Sequence, residues 1–337
     1  MADLARHAGL SKSTISRALS GDPRVKPETR KLVEELARRL NYQPHPLAKG
    51  LARKRTYTLG LAIPSPPRSF SNPFYLEFIG GVGDYAITRG YTLFFTRTSE
   101  IASSSSQARS AITSLADGYI LTEPELGDPR VELLRARGKP FVFLGRLTVA
   151  QGTPASEPLL RGVSREQAHG PELVWVEGDN VGGAELVVEH LLSLGHRRLG
   201  CIAGSAEQVA TYNRIAGFKS ALAKAGLNPD QAPIVFADFT EEGGRRAAEA
   251  LLEIDPGVTA IFAASDLMAI GAMHALHARG KRVPEDVSVA GFDGISAAQF
   301  VSPRLTTAAQ PIYELGKTAA RLLIDLIEGV QPQQRPR

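Results

Sequence analysis

The chain has 337 residues, 43% of them apolar and 22% charged, with a formal net charge of +4. This is the composition of a globular soluble protein of two or three domains. It excludes a helix through a bilayer, since no apolar run approaches the ~18–20 residues needed, and the single cysteine excludes an internal disulfide.

The charge is unevenly spread. Residues 1–55 hold 13 Lys+Arg against 5 Asp+Glu, while the remainder holds 26 against 30. A basic head on a mildly acidic body points to a polyanion partner for the head alone. The polar start of the chain carries no secretory signal, so a cytoplasmic protein is expected. No cluster of Cys, His and carboxylates has metal-ligand spacing, and Cys201 in Leu-Gly-Cys-Ile-Ala reads as a small core residue. No cofactor is expected.

In chain order, two short amphipathic helices come first. Leu4 and Ala8 share one face of the first, and Ile15, Ala18 and Leu19 share one face of the second. Gly9 supplies a stop between them, and Ser11 suits the second N-cap. Opposite the apolar face lie Lys12, Ser13, Ser16 and Arg17, which suit a helix that enters the major groove. A third helix is predicted from Pro27 to Leu40, with Leu32, Leu36 and Leu40 as its buried stripe and Val33 beside it. The stretch from Asn41 to Arg53 contains Pro44, Pro46 and Gly50, so any helix within it is too short to stand alone.

From Tyr57 onward, strands alternate with helices. Strands are predicted at 58–63, 91–96, 118–122, 140–145 and 172–177, then in a second series at 199–203, 234–237, 259–264 and 287–292. Helix follows from Phe74 to Arg89, closed by Gly90. Such alternation argues for parallel sheets covered on both faces, and two series argue for two lobes. Ligands in these folds bind beyond the carboxyl ends of the strands. Glu123, Arg146, Asp266 and Asp293 fall at those ends, and Arg214 opens the helix after the Cys201 strand. Acids and arginines converging there suit a polar, hydroxyl-rich ligand, with Phe74 and Phe239 available to stack on it. Residues 147–171 form a long insertion read as a surface excursion.

No catalytic motif survives inspection. There is no Gly-x-Ser-x-Gly elbow and no phosphate-binding Gly-rich loop, and Gly80-Gly81-x-Gly83 lies inside a helical pattern rather than after a strand. His274 and His277 mark the polar edge of a helix. An enzyme is not expected.

Residues 2–53 resemble the DNA-binding head and hinge of the lac/gal repressor family. The resemblance rests on Asp3-Leu4-Ala5-Arg6-His7-Ala8-Gly9-Leu10-Ser11, Thr14-Ile15-Ser16-Arg17, Leu40-Asn41-Tyr42 and Leu47-Ala48-x-x-Leu51. Residues 57–329 resemble the family's effector core, through Asn72-Pro73-Phe74, Asp179-Asn180, Arg214-x-x-Gly217-Phe218, Ser265-Asp266-x-x-Ala269-x-Gly271 and Gly291-Phe292-Asp293. The resemblance implies an α/β protein in which a small all-α helix-turn-helix head is joined by a hinge to a two-lobed core of doubly wound parallel sheets. The expected division is 1–45 head, 46–57 hinge, 58–194 first lobe with 295–329 returning to it, 195–294 second lobe, and 330–337 a polar tail. It also implies a homodimer on double-stranded operator DNA, with Lys12, Ser13, Ser16, Arg17 and Arg24 at the DNA and Leu51 wedged into the minor groove. A small metabolite, expected to be a sugar, would bind between the lobes on Phe74, Arg146, Asp179, Arg214, Asp266 and Asp293.

Two departures from the family pattern lead us to expect that a few head residues are missing before Met1, and that either a final strand is missing after Gly329 or the second lobe is shortened. The expected function is a ligand-controlled transcription regulator acting as a repressor. The competing expectation is a sugar-binding transport component without DNA function, which the basic head and the absent signal disfavour; a carbohydrate enzyme lacks any motif.

Overall fold

The computed structural model describes residues 2–19, 22–40, 55–63, 72–97, 115–125, 128–147 and 173–330. The head is three helices, α1 (Ala2–Ala8), α2 (Lys12–Leu19) and α3 (Pro27–Arg39). Gly9, at φ 63°, reverses the chain between the first two, and the Ser11 hydroxyl accepts the Thr14 amide at 3.1 Å to start α2. Leu4, Ile15, Ala18 and Val33 are buried together with Ala5 and Ala37. The apolar stripe of α3 therefore runs through Val33 and Ala37, with Leu36 at its margin, and differs from the predicted one. Leu32 and Leu40 are 46% and 41% exposed. With three leucines and a valine in two turns, spacing alone did not say which side faces α1 and α2.

The body contains β1 (Thr58–Ile63), α4 (Pro73–Thr88), β2 (Thr92–Arg97), β3 (Gly118–Leu121), α5 (Pro129–Ala136), β4 (Phe141–Leu144) and β5 (Trp175–Val176). It continues with α6 (Asn180–Ser193), β6 (Leu199–Ala203), α7 (Val209–Lys224), β7 (Ile234–Phe236), α8 (Glu241–Ile254), β8 (Ala260–Ala263) and α9 (Asp266–Ala278). The last elements are β9 (Ser288–Asp293), a 3-10 turn at Ser296–Gln299, β10 (Thr306–Ala309) and α10 (Ile312–Glu328). Two five-stranded sheets result, in the orders β2-β1-β3-β4-β5 and β10-β9-β8-β6-β7. Every strand pair within them is parallel. Each sheet has an apolar cluster on both faces, which explains why the central strands are near-continuous apolar runs rather than alternating ones.

Two lobe assignments differ from expectation. Helix α6 packs on α7 and on β9 and β10, not on the first sheet. Its Ala184, Val187, Val188, Leu191 and Leu192 are buried in the second lobe, so the chain leaves the first lobe at Gly178 rather than at 194. Strand β10, unforeseen in the sequence, pairs with β9 in the second sheet, so only α10 returns to the first lobe. The sequence Thr-Thr-Ala-Ala is short, small and half exposed at a sheet edge, and carries no alternation to read.

Helix α10 lies close against α4. A Cβ on Gly81 would sit 2.0 Å from the Tyr313 carbonyl oxygen, and one on Gly316 would sit 2.1 Å from that of Phe78. The glycines inside these helices therefore permit backbone contact between them. Among the described residues no helix is long and apolar enough to cross a membrane.

The end of the linker is fastened to the first lobe. The Asp117 carboxylate, just before β3, accepts the Thr56 amide at 2.7 Å, the Thr56 hydroxyl at 2.9 Å and the Tyr57 amide at 2.8 Å. Arg55 donates to the Ile327 carbonyl in α10 at 2.9 Å.

Candidate functional site: an interlobe cleft and a DNA-facing head

A cleft with about 860 Å³ of empty space, part of it open solvent, lies between the two sheets. Its walls come from the segments after β1, β3, β4, β5, β6, β7, β8, β9 and β10, that is, from strand carboxyl ends as the topology dictates. Phe74, Arg146, Arg214 and Asp293 all line it, as do Glu123 and Phe239.

Arg214, on α7, lines the cleft and is 7% exposed. Its Nε donates to Asn180 Oδ1 at 2.9 Å, its Nη1 donates to the Ala264 carbonyl, and Nη1 approaches Asp293 Oδ1 at 3.3 Å. Its guanidinium lies 4.0 Å from the centre of the Phe292 ring and 5.9 Å from that of Phe239. Asp293 also accepts from Gln310 Nε2 at 2.9 Å. Burial pushes the Asp293 carboxyl up to about 7 against the pull of Arg214, and nearby Asp266 adds to the rise. Asp293 sits at φ 121°, a costly conformation for a non-glycine residue that recurs at ligand sites.

On the first lobe, Phe74 and Tyr75 meet edge to face with centres 5.4 Å apart. The Tyr75 hydroxyl donates to Glu123 Oε1 at 2.8 Å. Arg146 pairs through Nε with Glu177 Oε1, its guanidinium 5.9 Å from the Trp175 ring centre. Asn72 starts α4 by accepting the Phe74 amide at 3.0 Å, with Pro73 fixing the first turn.

Two expected effector residues are not at the cleft. Asp179 is exposed and spends its carboxylate on the Gly182 amide at 2.8 Å, capping α6. Asp266 is fully buried. Its Oδ2 accepts the Gly294 and Ile295 amides, each at 2.8 Å, and its Oδ1 accepts the Thr307 hydroxyl at 2.5 Å. It braces the turn that presents Asp293, and burial pushes its own carboxyl up to about 6. Sequence reasoning placed Asp266 at a strand end and took Asp179 from the family resemblance, but could not see which way each carboxylate turns. It missed Tyr75, Glu177, Asn180, Gln208 and Gln310, all of which line the cleft. Tyr75 and Asn180 each adjoin a residue already singled out; Gln310 follows the unforeseen strand.

In the head, Lys12, Ser13 and Arg17 are exposed and Ser16 is half exposed on one side of α2. The Ser13 hydroxyl is 2.7 Å from that of Ser11. Arg24 is exposed beyond α2 and paired with Asp22 at 2.7 Å; the pairing holds the Asp22 carboxyl down at about 2. Leu51 and all but the first residue of the predicted insertion at 147–171 lie outside the described residues.

Comparison with known proteins agrees with both halves of this description. Residues 1–45 match the model of bacterial regulatory proteins of the lacI family, and residues 188–337 match that of a periplasmic binding protein-like domain. The transcriptional regulator CelR of Thermobifida fusca is 35% identical over 96% of this chain and 90% of its own length. A solved CelR–cellobiose complex is similar at a TM-score of 0.70 and 32% identity, over 99% of this chain and 94% of that one. A lac repressor dimer bound to operator and the anti-inducer ONPF is similar at a TM-score of 0.76 and 26% identity, over 98% and 93%. With a helix-turn-helix head, a two-lobed parallel core and relatives matched over nearly their full length, the chain belongs to the lacI family of DNA-binding transcriptional regulators.

Proposed function

We propose that the chain is a repressor that binds a pseudo-palindromic operator as a homodimer in the cytoplasm, and that a neutral sugar in the interlobe cleft controls it. The observation that carries the effector reading is the cleft itself. Aromatic faces from Phe74, Tyr75 and Phe239 stand beside a dense set of polar groups from both lobes, which suits the apolar faces and hydroxyl rims of a sugar ring. The solved CelR relative is bound to cellobiose. In this reading Lys12, Ser13 and Arg17 read base edges, and Ser16 and Arg24 support them. Leu51 from each protomer inserts into the minor groove. No residue of the cleft performs chemistry on its ligand; the work done is a shift between two lobe arrangements with different affinity for it.

Enrichment of operator sequences from a random double-stranded DNA library, followed by gel shift over a salt series, tests the DNA half. A pseudo-palindrome and a steep loss of affinity with salt, about −0.9 in log–log slope per phosphate neutralised, are expected. Leu51→Ala should weaken operator binding and leave cellobiose affinity unchanged. Equal operator binding by variant and parent refutes the wedge, and failure to enrich any sequence refutes the repressor reading.

A further inference from the structure

Both arginines that reach the cleft are already matched: Arg214 with Asp293, Arg146 with Glu177. Glu123 is different. Among the described residues it has no cationic side chain within ion-pair distance; its carboxylate partners are the Tyr75 hydroxyl and the Gln208 side chain. Of the roughly four lone-pair positions on a carboxylate, two are thus unused. Among the described cleft-lining residues, three carboxyl groups stand against two guanidiniums.

Glu123 is also rigidly placed. Its backbone is held at φ 49°, left-handed territory that an ordinary residue enters at a cost. The guanidinium of Arg130, 1% exposed, donates to the Glu123 carbonyl at 3.1 Å and to the Thr122 carbonyl at 3.1 Å. Arg130 is in turn held by Asp128, with Nε to Oδ1 at 2.8 Å. A fully buried ion pair thus fixes Glu123, the carboxyl that has no ion-pair partner among the described cleft-lining residues.

We propose that Glu123 is a specificity-determining residue that makes the cleft accept neutral, hydroxyl-rich ligands and reject anionic ones such as uronates and sugar phosphates; this rests on the reading of the cleft as the effector site. A neutral sugar donates hydroxyls to the open lone pairs of Glu123. The charged group of a uronate or sugar phosphate has no such contact to make. It must lie against Glu123, or displace Asp293 or Glu177 from its arginine and leave a carboxylate unpaired in a desolvated site. Like charges about 6 Å apart at an effective dielectric near 20 disfavour the anion by roughly a hundredfold.

Calorimetric titration of the full-length protein with cellobiose, glucose, glucuronate and glucose 6-phosphate reads this directly. The parent should favour glucose over each of its two anionic counterparts by about a hundredfold. Glu123→Gln should narrow that ratio to tenfold or less, Glu123→Asp should keep it, and Tyr75→Phe should keep it while lowering all affinities together. Equal binding of glucose and glucuronate by the parent, or an unchanged ratio in a Glu123→Gln protein of parental melting temperature, overturns the assignment of Glu123 alone. Failure of every sugar to bind overturns the sugar reading, and this assignment with it.

Discussion

Removing the Asp117 carboxylate should uncouple the head from the cleft without emptying the cleft. Thr56 and Tyr57 are the last linker residues before β1, and three hydrogen bonds from them converge on Asp117. Hydrogen bonds to a charged acceptor contribute about 1.5–3 kcal/mol each when desolvated. Asp117 is only half buried, so water replaces part of this when the side chain is lost. A net loss of ~2–4 kcal/mol for the anchored state follows for Asp117→Ala, which lowers an anchoring equilibrium by roughly 30- to 1,000-fold. The linker would then no longer follow the first lobe when the lobes move. The assay is operator titration by fluorescence anisotropy, with and without a saturating sugar that the parent binds, alongside calorimetric titration of that sugar. The ratio of operator affinities in the two conditions should fall toward one in the variant, while sugar affinity stays within about threefold of the parent. A variant that keeps the parental ratio would refute the idea that movement is passed to the head through this anchor.

Three further outcomes follow from the packing and the buried charges. Gly81→Val drives a side chain into the Tyr313 carbonyl and should cost about 3 kcal/mol, read as a lowered urea midpoint; an unchanged midpoint would mean α4 and α10 do not pack as described. Arg214→Met should abolish effector binding and also destabilise the core by about 3–5 kcal/mol, because Asp293 is left buried and unpaired. Adding Asp293→Asn to Arg214→Met should restore stability but not binding, and recovery of binding in the double variant would remove Arg214 from the site. Stability of the core should fall as pH rises from about 4 to 7: Asp293 and Asp266, raised from 3.8 to about 7 and about 6, hold protons in the folded state that the unfolded chain has already released. Chemical denaturation across that range checks the sign, and a rise in stability would contradict it.

The parts legible in the sequence are those that a short stretch of chain settles for itself. Gly9 and Ser11 mark the helix-turn-helix because a left-handed stop and an N-cap are local chemistry. The strands of both series were recognisable because a doubly covered parallel strand must be apolar on both sides, as Leu59–Ile63 and Ala260–Ala263 are. Polar residues at strand ends pointed to the cleft for the same topological reason, and Phe74, Arg146, Arg214 and Asp293 are there. What no single stretch carries is which partner an element meets. Helix α6 follows the first sheet in sequence yet buries its leucines and valines against the second, because the chain crosses at Gly178. Strand β10 exists only because β9 offers it an edge. Val33 rather than Leu32 faces the head core because α1 and α2 decide which side of α3 is inside. Asp266, placed at the right strand end, turns away from the cleft because the Gly294 and Ile295 amides and the Thr307 hydroxyl, 28 to 41 residues further on, arrive beside it. Side-chain type and spacing report what a residue can bond to; only the packed chain supplies the groups that compete for it.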